Sequence, residues 1–370
     1  MITFENVTKQ YPDKTKAVDN LSFIAPARKL TILVGPSGCG KTTTLRMVNR
    51  LIRPSSGVIR LGGVATGSMD EAVLRRKIGY VIQHAGLFPH RTVLDNIATT
   101  ARLNGKSRRE ARAIAYELLE RVGLQGAFAL RYPWQLSGGQ QQRVGVARAL
   151  AADPEYMLMD EPFSAVDPVV RTQLQDEFLR LQSEIGKTII MVTHDIDEAL
   201  KLGDQVAVLR TGGRLAQLAS PKDLLERPAD AFVADFIGRD RGYRSLAFRK
   251  AGCNLVVDHE PTVKLGDSQE TARLLANDKW LLVVDDLDRP LGWVEPARLN
   301  GSVREEDINR SGTIASVQES MRQLLDSVLS SPCGRGVVVG DDNALIGSLR
   351  GEQIIGLIDG CASESMRRAV

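Results

Sequence analysis

The 370-residue chain has no apolar run as long as the roughly 18 residues that a membrane-crossing helix needs. Met1 to Asn20 carries charges and a proline where a secretory signal would have an apolar core. The expectation is a soluble, cytosolic chain whose association with any membrane would come through a partner. Cysteine is scarce: Cys39, Cys253, Cys333 and Cys361 are too scattered to form a metal-ligand pair and read as reduced thiols. A large charge of one sign is missing too. The net value is +3, and residues 241–370 hold 16 Lys/Arg against 19 Asp/Glu, which puts −3 on the C-terminal third and leaves +6 on residues 1–240. Neither value suits bulk nucleic-acid binding, and no nucleic-acid partner is expected. What remains is an ordinary globular composition, 43% apolar, with length for two or three domains.

Against that plain background one stretch stands out. Gly35 to Thr43 reads Gly-Pro-Ser-Gly-Cys-Gly-Lys-Thr-Thr, follows an apolar β-type run at Leu30 to Val34, and precedes a helical pattern through Leu45, Val48 and Leu51. A strand turning sharply into a helix presents backbone N–H groups and the positive end of the helix dipole to an anion. Such a loop binds phosphates, with Lys41 reaching the β- and γ-phosphates and the Thr42 hydroxyl binding Mg²⁺. A bare glycine turn would not require Lys41 and Thr42 at the helix start.

Further candidates follow in order. Tyr11, just upstream, either stacks on an adenine ring or is a partly buried loop tyrosine. Val58 to Leu61 with Gly62-Gly63 reads as a hairpin. Ile78 to Gln83 is a β-type run whose terminal Gln83 either binds Mg²⁺ or the attacking water, or is a satisfied surface glutamine. Residues 84–135 change character: Ser107 with Glu110 makes a capping box, and apolar residues from Ala111 to Val122 follow at helical spacing. The basic run Lys106 to Arg112 reads as a solvated face. Leu136-Ser137-Gly138-Gly139-Gln140 is a second serine/glycine turn opening a helix, the device already met at the phosphate loop. Tyr156 to Glu161 is a buried-strand run ending in two carboxylates, where Asp160 can hold Mg²⁺ and Glu161, pointing elsewhere by strand alternation, can orient or deprotonate water. Thr188 to Thr193 is another apolar strand, ending at His194, a candidate γ-phosphate contact, and Asp167 is a loop aspartate between them.

These residues together resemble the nucleotide-binding subunit of ATP-binding cassette (ABC) transporters, over residues 1 to about 240. Tyr11 matches the adenine-stacking aromatic, and Gly35, Pro36, Ser37, Gly38, Cys39, Gly40, Lys41, Thr42 and Thr43 match the Walker A loop. Gln83 matches the Q-loop, Ser137, Gly138, Gly139 and Gln140 the signature, Met157 to Glu161 the Walker B strand, Ser164 to Asp167 the D-loop, and His194 the switch histidine. Val166 stands where many members have leucine, a conservative departure. The resemblance implies an α/β P-loop ATPase fold with a helical subdomain at about 84–150, and ATP and Mg²⁺ as cofactors. It implies catalysis by Lys41, Gln83, Glu161 and His194, metal binding by Thr42, Gln83 and Asp160, and coupling of sites through Asp167. It also implies that two copies sandwich two ATPs head to tail, the signature of one closing on the Walker A loop of the other. Stretches such as Ala17 to Leu21, Met47 to Ile52, Gly86 to His90 and Glu161 to Ala165 look like importer subunits for osmoprotectants, the glycine betaine, carnitine, choline and proline group. Permease subunits, contacted near His84 to Arg91, are then the partners, with a substrate-binding protein acting through them. The chain would sit on the cytoplasmic face of the membrane. Cargo rests on that likeness alone. An importer for another cargo, such as amino acid or polyamine, and a soluble ABC clamp remain as alternatives.

Beyond a linker at Phe232 to about Arg244 the sequence repeats. Val283-Val284-Asp285-Asp286 through Gly292-Trp293-Val294 aligns with Val338-Val339-Gly340-Asp341 through Gly347-Ser348-Leu349. Short strands at Thr262 and Thr313 and helical patterns at Glu270 to Ala276 and Val317 to Leu325 lie ahead of each. Two strand–helix–strand–turn–strand units, at about 245–300 and 301–360, resemble a tandem pair of CBS modules in an α+β domain at 241–360. The resemblance implies regulation by an adenine nucleotide or a cyclic dinucleotide or through dimer geometry; a dimerisation module without ligand is the other reading. An acidic terminal tail is absent, since Arg367 and Arg368 follow Glu364.

Overall fold

The computed structural model describes residues 1–83, 86–164, 166–250 and 255–358. Cys253, Cys361 and the terminal residues Glu364, Arg367 and Arg368 lie outside them, as do His84 of the expected permease contact and Ala165 of the loop before Asp167. The chain forms two compact units that divide after Gly238.

In the first unit, continuous apolar runs become a six-stranded sheet in the order Arg214–Ala219, Gln205–Arg210, Leu30–Val34, Thr188–Val192, Tyr156–Asp160, Ile78–Val81. All neighbours are parallel except the first pair, which is antiparallel. Alternate residues of the central strands enter different cores, as the two-residue period of a strand demands. Ile32, Met157, Met159, Ile189 and Met191 join the core beneath the helices Val93–Leu103, Arg108–Arg121 and Gly138–Leu150. Leu33, Leu158, Ile190 and Val192 instead face the core built with Phe4, Leu21, Phe23 and Leu45. That second core is closed by an antiparallel sheet, Lys16–Ala25, Ile2–Gln10, Ser56–Leu61, Val64–Ala65. Every residue of Leu30–Val34, Tyr156–Asp160 and Thr188–Val192 is therefore buried, and these runs show no apolar/polar alternation.

Local signals place the helices. Ser107 and Glu110 exchange both capping hydrogen bonds at the start of Arg108–Arg121. The helix after the phosphate loop ends at Val48, earlier than the expected pattern, and Leu51 lies beyond it, 53% exposed. The stretch expected as a linker is helical instead: Asp230 caps Ala231–Ile237, and Val233 and Ile237 are buried four residues apart in the first core. Gly238, at φ 102°, ends that helix.

The second unit contains two three-stranded sheets of identical plan. Thr262–Lys264 lies parallel to Leu281–Val284, which pairs antiparallel with Pro290–Val294. Ile314–Ser316 lies parallel to Arg335–Val339, which pairs antiparallel with Leu345–Arg350. The register slips at Val283/Val284 in one hairpin and at Val338/Val339 in the other, the same repeat position. Both turns use a left-handed residue at matching places, Asp288 (φ 55°) and Asn343 (φ 62°). The helices are Gln269–Leu275 and Met321–Ser330. The latter begins four residues later than expected because Ser320, with Gln323, forms the capping box that sets its start. Leu282, Trp293, Val337 and Val339 join the two sheets in one core.

Candidate active site

Five parallel strands end on one edge of the six-stranded sheet, four of them at expected site residues, and at a parallel sheet's carboxyl edge the chain leaves in loops that can meet a ligand. There Leu30–Val34 runs into the Gly35 loop, Tyr156–Asp160 into Glu161, Thr188–Val192 into Thr193 and His194, and Ile78–Val81 into Gln83. A cleft of 530 Å³ opens on this edge, lined by Ala17, Ser37, Gly38, Cys39, Gly40, Lys41, Thr42, Thr43, Glu161 and His194. A larger groove of 1030 Å³ lies at the opposite strand ends, near Arg28, Glu155 and Lys187, and holds none of the expected residues.

The loop is held tightly against the antiparallel sheet. Gly40 sits at φ 90°, and a Cβ there would come within 2.0 Å of the Ala17 carbonyl oxygen, so only glycine fits at the N-cap of Lys41–Val48. No side chain caps that helix, so its first N–H groups remain for an anion. The Lys41 ammonium, buried, donates to the carbonyls of Gly35 at 2.8 Å and Pro36 at 3.0 Å, which holds the cation across the loop. Cys39 is fully buried beside it, and burial pushes its thiol pKa up despite Lys41, which keeps it protonated. Among the described cysteines, Cys39 and Cys333 are both free.

The two carboxylates separate as strand geometry demands. Asp160 accepts a hydrogen bond from the Thr42 hydroxyl at 3.0 Å. Glu161 occupies the left-handed region at φ 45°, rare for a side chain of this kind, and its N–H still bonds Val192 O at 2.9 Å. Its carboxylate Oε2 accepts from Gln83 Nε2 at 3.0 Å and lies 3.1 Å from His194 Nδ1. Gln83, Glu161 and His194 thus form one cluster, and Thr42 with Asp160 another.

Other expected residues stand apart from the cleft of their own chain. Ser137 caps Gly138–Leu150, accepting from Gln140 N while Gln140 Oε1 accepts from Ser137 N; neither they nor Gly138 and Gly139 line the cleft. Asp167 caps Pro168–Ile185 by accepting from Val169 N at 3.0 Å. Tyr11 is 36% exposed on the turn joining the first two strands, with Lys9 Nζ 5.2 Å from its ring centroid. Sequence reasoning missed two contributors. Ala17 lines the cleft only because its strand abuts the loop, and no residue type announces that. Arg46, on the helix after the loop, opposes the burial that raises the pKa of Asp160. Ser164, at the start of the expected D-loop, donates its hydroxyl to Glu161 O at 3.0 Å.

The sequence matches the family described as ABC transporter over residues 18–164. It is 42% identical to the osmoprotectant import ATP-binding protein OsmV of Salmonella typhimurium (strain LT2), over 100% of this chain and 98% of that one. It is 40% identical to the choline transport ATP-binding protein OpuBA of Bacillus subtilis (strain 168), over 97% and 96% of the two chains. Among solved structures, the ATP-binding cassette MJ0796, a dimer in a post-hydrolysis state bound to ADP and Pi, superposes with a TM-score of 0.55 at 33% identity, over 60% of this chain and 99% of that chain.

Burial raises the pKa of Asp160 above the ordinary 3.8, and the neighbouring Glu161 adds to this against Thr42, Arg46 and Lys41. A carboxyl whose pKa rises on folding destabilises the fold at every pH above that raised value, and contributes nothing below its ordinary one. Asp160→Asn keeps an acceptor for Thr42 and is therefore expected to raise the urea midpoint at pH 7 without nucleotide. The gain should vanish as pH falls below the ordinary aspartate range. Equal midpoints at pH 7 would show that Asp160 carries no such cost.

Proposed function

Because the chain belongs to the family of ABC transporter ATP-binding proteins, we propose that it hydrolyses ATP to power an importer for osmoprotectants, quaternary amines such as glycine betaine or the imino acid proline. The observation that carries the reading is the pairing, on one sheet edge, of an uncapped phosphate loop with the Gln83–Glu161–His194 cluster. A triphosphate on the loop amides would be met by Lys41, while Glu161 can take a proton from a water on the γ-phosphate side. Gln83 and His194 hold the Glu161 carboxylate in place, and His194, 63% exposed, also has a face free for the γ-phosphate.

The residues present suit Mg²⁺. Thr42 and Asp160 offer adjacent hard oxygen donors, and among the described residues no three His, Cys, Asp or Glu side chains gather as a protein cage. Mg²⁺ is commonly held that way, by one or two protein oxygens with the substrate's phosphates completing its shell. When bound it neutralises charge on the β- and γ-oxygens. Thr42 and Asp160 would hold it, with Gln83 as a further ligand.

The signature turn does not line the cleft of its own chain, which supports the head-to-tail reading: Ser137, Gly138 and Gly139 of one copy complete the phosphate site of a second. Two helix N-termini then share one triphosphate. No described helix is long and apolar enough to cross a membrane. Permease subunits would therefore hold the chain peripherally at the cytoplasmic face, with a substrate-binding protein delivering the cargo to them. The doubled strand–helix–hairpin unit from Arg239 onward, with its matched register slips and turns, supports a tandem CBS-like regulatory domain that responds to a nucleotide or works through dimer geometry.

Glu161→Gln is expected to lower steady-state ATP hydrolysis about 10² to 10⁴-fold while leaving ATP bound, and Lys41→Ala to weaken ATP binding itself. Hydrolysis at the parent rate in single-turnover assays of Glu161→Gln would remove Glu161 from its role. In a complex purified from native membranes, ATPase activity should rise with a betaine-loaded binding protein. A co-purifying permease without that rise would discard the cargo, and no permease at all would favour a soluble clamp. Truncation at Gly242 should alter the response of transport to osmotic and nucleotide conditions; transport matching full length in all of them would leave the second unit without a regulatory part.

A further inference from the structure

Of the three tryptophans, Trp293 is buried and Trp280 is half-buried, whereas Trp134 is 74% exposed. Its ring lies nearly parallel to that of Tyr132, 13° apart at a centroid separation of 6.3 Å, which leaves the outer indole face in water. This exposure is built on a rigid base. Trp134 sits on the short helical turn Pro133–Gln135, which is closed by the Tyr132 N–H donating to Gln135 Oε1 at 2.9 Å. Gln141, in the first turn of Gly138–Leu150, donates through Nε2 to the carbonyls of Pro133 at 3.1 Å and Leu136 at 3.3 Å. The turn that carries the indole is thereby tied to the N-terminus that presents Ser137, Gly138 and Gly139. Three residues of chain span at most roughly 10 Å, so Trp134 stays within that distance of the turn that would meet a nucleotide.

A second aromatic face lacks a partner at the other end of the geometry. Tyr11 has Lys9 near its ring, and a base stacked on its open side would keep its own second face in water. Trp134 does not line the cleft of its own chain and cannot supply that cover there. In the head-to-tail pair it can.

We propose that Trp134 of one copy stacks on the adenine of the ATP bound by the second copy, on the face opposite Tyr11, and so favours ATP over nucleotides with smaller bases. This rests on the head-to-tail reading of the signature. The occupant follows from position: the indole is continuous with the turn that meets the nucleotide, and stacking on a flat base uses an exposed aromatic face without requiring a groove.

The test uses the full chain carrying Glu161→Gln, with Mg²⁺, and reads nucleotide-driven dimerisation by light scattering after size exclusion. Adding Trp134→Ala should raise the ATP concentration at half dimerisation roughly tenfold, the scale of losing one base-stacking aromatic. Trp134→Phe should recover most of the loss. The preference for ATP over UTP should shrink in Trp134→Ala, while ATP binding to the single chain at low protein concentration should stay at the parent value. Unchanged half-saturation by ATP would overturn the proposal. So would an equal loss with ATP and UTP, which would assign Trp134 to a contact between proteins, whether a second copy or a permease. A parent chain that fails to dimerise with ATP would instead overturn the head-to-tail reading on which the proposal stands.

Discussion

A parallel sheet buried on both faces is the constraint on which the first unit depends. Leu30–Val34, Tyr156–Asp160 and Thr188–Val192 are wholly buried, with the helices on one side and the antiparallel sheet on the other. Fully burying each large apolar side chain contributes roughly 1.5–3 kcal/mol, so neither face can be opened cheaply for a ligand. Only the strand ends remain. At the carboxyl edge the chain leaves in loops and helix N-termini, and the chemistry collects there because there is nowhere else for it to go.

That edge is electrostatically divided. Lys41 and the uncapped helix start make the loop side attractive to phosphate, while Asp160 and Glu161 put two carboxylates close by. Thr42 and Arg46 favour the charge on Asp160, and burial together with Glu161 opposes it. Glu161, with its left-handed backbone, joins Gln83 and His194 instead. The strained residue and the desolvated one are the two that hydrolysis would use, a common pattern where strain and pKa shifts are retained for function.

The second unit solves a different problem, since each small sheet packs a modest cluster of its own, Val263, Ala272, Leu281, Val283 and Val294 in one and Ala315, Met321, Leu324, Val338 and Leu349 in the other, and leaves its remaining apolar residues to be covered. Hydrophobic contact across Leu282, Trp293, Val337 and Val339 joins them. Arg335 adds a polar clasp: it donates to Glu260 Oε1 at 3.1 Å and to Trp280 O at 3.1 Å, pairs with Asp278, and lies over the Trp293 ring at 5.0 Å. Glu260 is buried, and its other oxygen accepts from Ser348 at 2.6 Å, so the charge is paired on both sides. Such a pair adds little net stability but makes mispairing of the two repeats costly.

Short-range physics left clear marks in the sequence. The glycine-rich loop between an apolar strand and a helix, the Ser107–Glu110 and Ser137–Gln140 caps, the carboxylates at a strand end and the repeated hairpins all depend on residues within a few positions of one another, so they could be read directly. Less legible were features set by neighbours distant in the chain. The helix Ala231–Ile237 was masked by charge and glycine although Val233 and Ile237 anchor it in the core. Ala17 enters the cleft, Gln83 meets Glu161 and Arg335 clasps Glu260 only because strands far apart in sequence lie side by side, and no local pattern encodes those meetings. What the sequence by itself determined was the set of reactive groups and the elements that carry them. Which groups face one another, and which wait for a second copy, was decided by tertiary structure, because burying both faces of the sheet dictates where every strand must end.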